Sequence, residues 1–124
     1  MNNIIFISLL ILAQIPLPSR LQAYAVSSYG SGLRDGTHLK YTPCNSSIST
    51  TKTLFILDGM TYKIYREQHV MDSVTALFCY RNIDSNDTKF ISATMIKLPQ
   101  KNQWQVYVTW EDSTKAFQAI TIPK

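Results

Sequence analysis

Leu54-Phe55-Ile56-Leu57-Asp58-Gly59-Met60-Thr61-Tyr62-Lys63-Ile64 is the stretch on which the fold turns. Asp-Gly between two apolar runs supplies the positive φ angles that a two-residue hairpin turn requires. Met60, Tyr62 and Ile64 alternate with Thr61 and Lys63, which gives the second strand one buried face. Just downstream the period changes. Val70, Val74, Leu77 and Phe78 recur at helical spacing, with Met71 beside them, so Arg66 to Cys79 is expected to be an amphipathic helix. After the polar loop from Asn82 to Asp87, three strand-like segments follow at Phe90–Leu98, Trp104–Trp110 and Ala116–Ile122, joined by turn-rich connections. Hairpin, helix and meander together predict an α+β domain, with one amphipathic helix packed on an antiparallel sheet.

Upstream of the hairpin the pattern weakens. Residues 26–53 are rich in Ser, Gly and Thr without sustained period and read as an N-terminal extension. Within it Ser27 to Gly32 looks mobile, and His38 to Thr42 could form a short strand. Ahead lies the apolar run Ile4 to Ala13, too short for a bilayer span of about 20 residues. Ala23-Tyr24-Ala25 beyond it is a small-x-small pattern of the kind a leader peptidase accepts. Residues 1–25 are therefore expected to be a signal peptide cut after Ala25, with Ala23 as the next choice. The mature chain is then a secreted monomer without a membrane segment, made of the extension and a domain over 54–124.

The whole chain carries 12 Lys and Arg against 8 Asp and Glu, a net charge of +4. The basic residues are scattered, with no run of three, which permits weak phosphate binding without demanding it. Cys44 and Cys79 form an even pair on an oxidising route, and a disulfide is the default expectation. Closing that loop of about 35 residues contributes about 3–4 kcal/mol on the chain-entropy account. Asn45-Ser46-Ser47 and Asn86-Asp87-Thr88 are N-glycosylation sequons in turn-like surroundings. His38, His69 and the two cysteines show no metal-ligand spacing, so neither a metal nor a cofactor is expected.

The stretch Phe55 to Tyr62, the Arg66–Cys79 segment with Val70 and Ala76, and Cys79 near its end resemble the ribonuclease-like secreted effectors of powdery mildew fungi. The closing segments Met95 to Pro99, Trp104 to Val108 and Ala116 to Thr121 are similar to the last strands of small fungal guanyl-specific ribonucleases. The likeness covers about residues 54–122. Leu57 stands where those effectors carry a Cys, and Cys44 is the substitute partner the resemblance offers for Cys79. The catalytic Glu, Arg and His of the enzymes fall on Lys97, Gln105 and Ile122, so the resemblance implies a scaffold without catalysis. It further implies delivery into plant cells, binding of host RNA or host proteins to suppress defence, and recognition by plant immune receptors.

Cleavage of RNA through the 2′-hydroxyl needs a base, an acid and a cation for the phosphorane, and no catalytic set is assigned. Candidate RNA- or partner-binding residues are Arg66, His69, Arg81, Lys89, Lys97, Lys101, Trp104 and Tyr107. Tyr62 and Trp110 are further stacking candidates. Two other readings stay open. In a secreted immunoglobulin-like recognition domain, Arg66–Cys79 would be a strand and Cys44–Cys79 would bridge two sheets. In an active nuclease, Glu67 and His69 would do the work; at helical spacing Arg66 and His69 share a face while Glu67 points away.

Overall fold

The computed structural model describes residues 16–30 and 40–122. The expected leader up to residue 15, and residues 31–32 and 38–39 of the upstream segment, lie outside these. Eight strands follow one another: β1 (Arg20–Gly30), β2 (Thr42–Thr50), β3 (Leu54–Leu57), β4 (Met60–Met71), β5 (Val74–Asp84), β6 (Asp87–Lys97), β7 (Gln103–Thr109) and β8 (Ser113–Thr121). Each pairs antiparallel with its neighbour in sequence, and β8 returns to β1, closing the barrel. Full closure satisfies the outermost strands, which would otherwise offer open edges.

The Asp-Gly hairpin is present as expected. Asp58 and Gly59 have φ of 50° and 82°, and Leu54 to Leu57 pair with Lys63 to Met60. Asp58 is also clamped to β2: its N–H donates to the Ser47 carbonyl at 2.9 Å, and its carboxylate accepts from the Ser47 N–H at 2.9 Å. The three closing segments are strands β6, β7 and β8 within a few residues of their expected limits.

The α+β expectation is wrong. Arg66–Cys79 is not a helix but the second half of β4, a turn at Asp72-Ser73 and the first half of β5. Of the positions that match a helical stripe, Val70, Val74 and Phe78 also keep an even spacing, and Leu77 belongs to the opposite, buried row. Thr75, Leu77 and Cys79 are buried while Ala76, Phe78 and Tyr80 between them are only half-buried. Val70, Val74, Thr75 and the aromatic residues prefer the pleated surface, and β-branching costs them rotamer freedom in a helix. With no helix among the described residues to cover one face, the sheet buries its apolar side by curling on itself.

The expected extension holds the latter half of β1 and all of β2, and six residues of the expected leader, Arg20 to Ala25, begin β1. Ser27, placed in the mobile-looking stretch, is buried in β1. Inside the barrel sit Leu21, Ala23, Ile48, Phe55, Leu77, Met95, Val106 and Val108, all at 0–1% exposure. An eight-stranded barrel is wide enough to be filled by side chains or to hold one small ligand, and here these buried side chains occupy its centre.

Register shifts at Ala23/Ala25, Ile64/Arg66, His69/Met71 and Asn82/Asp84 mark bulges that bend the long strands. Strand lengths are uneven. β3 meets β2 over three residue pairs and β4 over four, whereas β5 and β6 pair over ten. β6 pairs with β7 only from Ser92 onward, so Asp87–Ile91 run past the end of β7.

Candidate functional site: a cleft at one barrel end

A cleft of about 1120 Å³ opens where Asp87–Ile91 leave β7 behind. It wraps the end of β6. Tyr62, Arg81, Lys89 and Ile91, from the inward-facing rows, line one part, and the outward-facing Phe78, Phe90 and Ser92 line another. The β7–β8 turn supplies Trp110, Glu111 and Asp112, and β4 supplies Met60 at the turn after Asp58-Gly59.

Aromatic rings dominate the outer part. Tyr65 lies 6.5 Å from Phe78, 6.1 Å from Tyr80 and 6.1 Å from Phe90, the last edge-on at 89°. Tyr80 and Phe90 are themselves 6.4 Å apart. These separations suit offset and edge-to-face attraction, yet Tyr65 and Phe90 remain 56% and 60% exposed. The Arg66 guanidinium lies over the Phe78 ring at 5.4 Å.

The inner part carries charge. Met60 sulphur accepts from the Arg81 guanidinium at 3.2 Å and from the Tyr62 hydroxyl at 3.3 Å, which holds Arg81 in the wall. Among the described residues the carboxylates in contact with a basic side chain are Glu67, with His69, and Asp87, with Lys89, so half-buried Arg81 has no carboxylate partner. Lys89 meets Asp87 at 3.6 Å. At the same barrel end the Lys115 ammonium sits 5.8 Å from the Trp110 ring centre.

Of the sequence candidates, Arg81 and Lys89 are brought together as cross-strand partners in this cleft. Lys97 and Lys101 are not with them. Eight residues separate Lys89 from Lys97 along β6, a run of about 26 Å, and Lys97 and Lys101 belong to the opposite barrel end. There the Lys97 ammonium donates to the carbonyls of Leu98 at 2.6 Å and Gln100 at 2.9 Å, which ties down the β6–β7 turn. Trp104 is buried in the core at 4% exposure, its indole N–H without a hydrogen-bond partner. Tyr107 lies half-buried on the outer side of β7, opposite Thr94 and Ala116.

The helical face relations are reversed. Glu67 and His69 share one face of β4, their side chains 3.1 Å apart, and His69 Nδ1 lies 3.0 Å from the Thr75 hydroxyl. Arg66 is on the other face, against Phe78. Gln105, at the place of the ribonucleases' Arg, is buried and donates to the Tyr41 hydroxyl at 2.8 Å.

Cys44 and Cys79 are both free thiols. Cys79 sits at 0% exposure, and burial pushes its thiol up from 9.0 to about 12, leaving it protonated and unreactive. Asn45 lies within β2, its side-chain oxygen accepting from Gln22 at 2.6 Å, while Asn86 is exposed in the β5–β6 turn. The described residues contain no group of three or more potential metal ligands.

Sequence reading missed Tyr65, Phe78 and Phe90 as site residues. The available signal was the alternation around buried Cys79, which turns Phe78 and Tyr80 outward as soon as the segment is read as a strand. The fold and cleft define an eight-stranded up-and-down antiparallel barrel with a filled interior and an aromatic, cation-bearing cleft at one end. No family description, curated protein or solved structure matches the chain.

Proposed function

We propose that the protein is a non-catalytic binding module that takes an amphiphilic organic anion, with an apolar body and one carboxylate, sulfonate or phosphate head, in the cleft at the end of β6. The observation that carries this reading is Arg81: a half-buried guanidinium without a carboxylate ion-pair partner, held by a thioether in a cleft where Tyr62, Ile91 and Trp110 stand beside polar residues that include Lys89, Glu111 and Asp112. Binding pockets for small molecules are mostly apolar, with a few placed polar groups that fix orientation. A guanidinium in such a wall pairs with an anionic head through charge-assisted hydrogen bonds. Tyr62 and Ile91, on the same inward side as Arg81, and Trp110 from the β7–β8 turn then cover the apolar body.

Anilinonaphthalene sulfonate is a suitable probe, titrated by fluorescence and displaced by dodecanoate. Losing a hydrogen bond to a charged group costs about 1.5–3 kcal/mol, so Arg81→Gln weakens the probe by roughly tenfold or more. Lys101→Gln, at the other barrel end, leaves it unchanged. Equal binding by wild type and Arg81→Gln refutes the reading.

One observation favours a protein partner instead. The contiguous rings of Tyr65, Phe78, Tyr80 and Phe90 are exposed in a way typical of interaction surfaces. On that reading Tyr65→Ala abolishes partner capture while Arg81→Gln leaves it intact.

A further inference from the structure

β1 is the strand that closes the barrel, and it settles where the chain can be cut. It pairs with β8 over nine residues, from Leu21↔Thr121 to Gly30↔Ser113. On its other side it pairs with β2 over six, from Arg20↔Ser49 to Val26↔Thr42. Leu21 and Ala23 are at 1% and 0% exposure in the core. Removal of residues up to Ala25 would leave one of the six pairs with β2, Val26↔Thr42, and removal up to Ala23 would leave two. Either cut also takes Leu21 and Ala23 out of the core and opens the barrel between β1 and β2.

We infer that the leader ends before β1, and that the bond hydrolysed is Ser19–Arg20. This rests on reading Ile4 to Ala13 as the apolar part of a secretory leader. Ser19 is a small residue, exposed and in a bend, immediately before the first residue of β1. Leu17, two positions before Ser19, departs from a strict small-x-small pattern.

The cut spares every pair that β1 makes with β2 and β8. What it removes is marginal: the Thr50 hydroxyl loses the Pro18 carbonyl at 2.6 Å, and the Thr50 N–H loses the Ser19 carbonyl at 3.0 Å. Leu17, packed against the edge of the core, is lost as well. The chemistry is peptide hydrolysis by a leader peptidase. Water adds across the Ser19–Arg20 amide, Ser19 leaves with the new carboxylate, and Arg20 becomes the α-ammonium terminus.

The test is expression of the full chain in a secreting eukaryotic cell, with amino-terminal sequencing and intact mass of the secreted protein. A chain beginning Arg20-Leu21-Gln22-Ala23 is expected; a start at Tyr24 or Val26, any other terminus, or a retained leader overturns the inference. Two variants separate the bonds. Ser19→Trp shifts or blocks processing, whereas Ala25→Leu, which disfavours a cut after residue 25, leaves the terminus at Arg20. A changed terminus in Ala25→Leu, or an unchanged one in Ser19→Trp, also overturns it.

Discussion

Phe55→Ala tests the barrel at its thinnest place. Phe55 is at 0% exposure on β3, a strand of four residues held by three pairs to β2 and four to β4. Its ring fills the centre of the barrel, where neighbouring strands are already committed to closure and cannot collapse inward. Truncation therefore loses the transfer energy and leaves most of the cavity, about 3–5 kcal/mol together. A domain of this size is stable by about 5–15 kcal/mol, so the variant gives up roughly a fifth or more of the total. Urea denaturation followed by Trp fluorescence reads this directly: with a slope of about 1–3 kcal/mol per molar, the midpoint falls by roughly 2 M. Phe90→Ala is the control: a ring 60% exposed on the outer face, which loses its contacts with Tyr65 and Tyr80 but opens no cavity, should cost only about 0.5–1.5 kcal/mol. Equal effects of the two substitutions would refute the inside-outside assignment of these strands.

Two further outcomes follow from buried groups. Cys79 is protonated up to about pH 12 in the folded protein but ionises near 9.0 when unfolded, so the native state holds the extra proton between these values. Its contribution to stability is complete below pH 9 and declines by about 1.4 kcal/mol per pH unit above it; urea midpoints at pH 8 and 10 should fall further in wild type than in Cys79→Ala. Trp104→Phe removes a buried indole N–H that has no partner. An unsatisfied donor costs about 1–3 kcal/mol, which offsets most of the lost apolar contact, so the thermal midpoint should change little, and a loss as large as that of Phe55→Ala would contradict this.

What could be read from the sequence depended on how local the determining physics was. The Asp58-Gly59 hairpin was legible because two adjacent residues supply the turn's backbone angles without help from the rest of the chain. β7 was legible because Val106 and Val108 alternate with Gln105, Tyr107 and Thr109. The segment around Val70, Val74, Leu77 and Phe78 was misread because both of its faces carry apolar residues, Leu77 inward and Phe78 outward, so no clean alternation shows to set strand apart from helix. What decides between them is the cross-strand partner, Ile64 opposite Cys79 and Ile91 beyond it, which no local window contains. β1 and β2 carry small inward residues such as Ala23, Ser27 and Thr50, so their alternation leaves almost no hydrophobic contrast. Arg81 and Lys89 were named among the basic candidates, but their pairing follows from register alone. Lys97, equally basic in sequence, is occupied by the carbonyls of its own turn.

The most direct test of the account is an amide chemical-shift titration of the folded protein with dodecanoate. Shifts concentrated at Met60, Arg81, Lys89, Phe90 and Trp110, with Lys97 and Lys101 silent, are the predicted result. Shifts centred on the Lys97–Lys101 turn, or none at all at saturating probe, would contradict it.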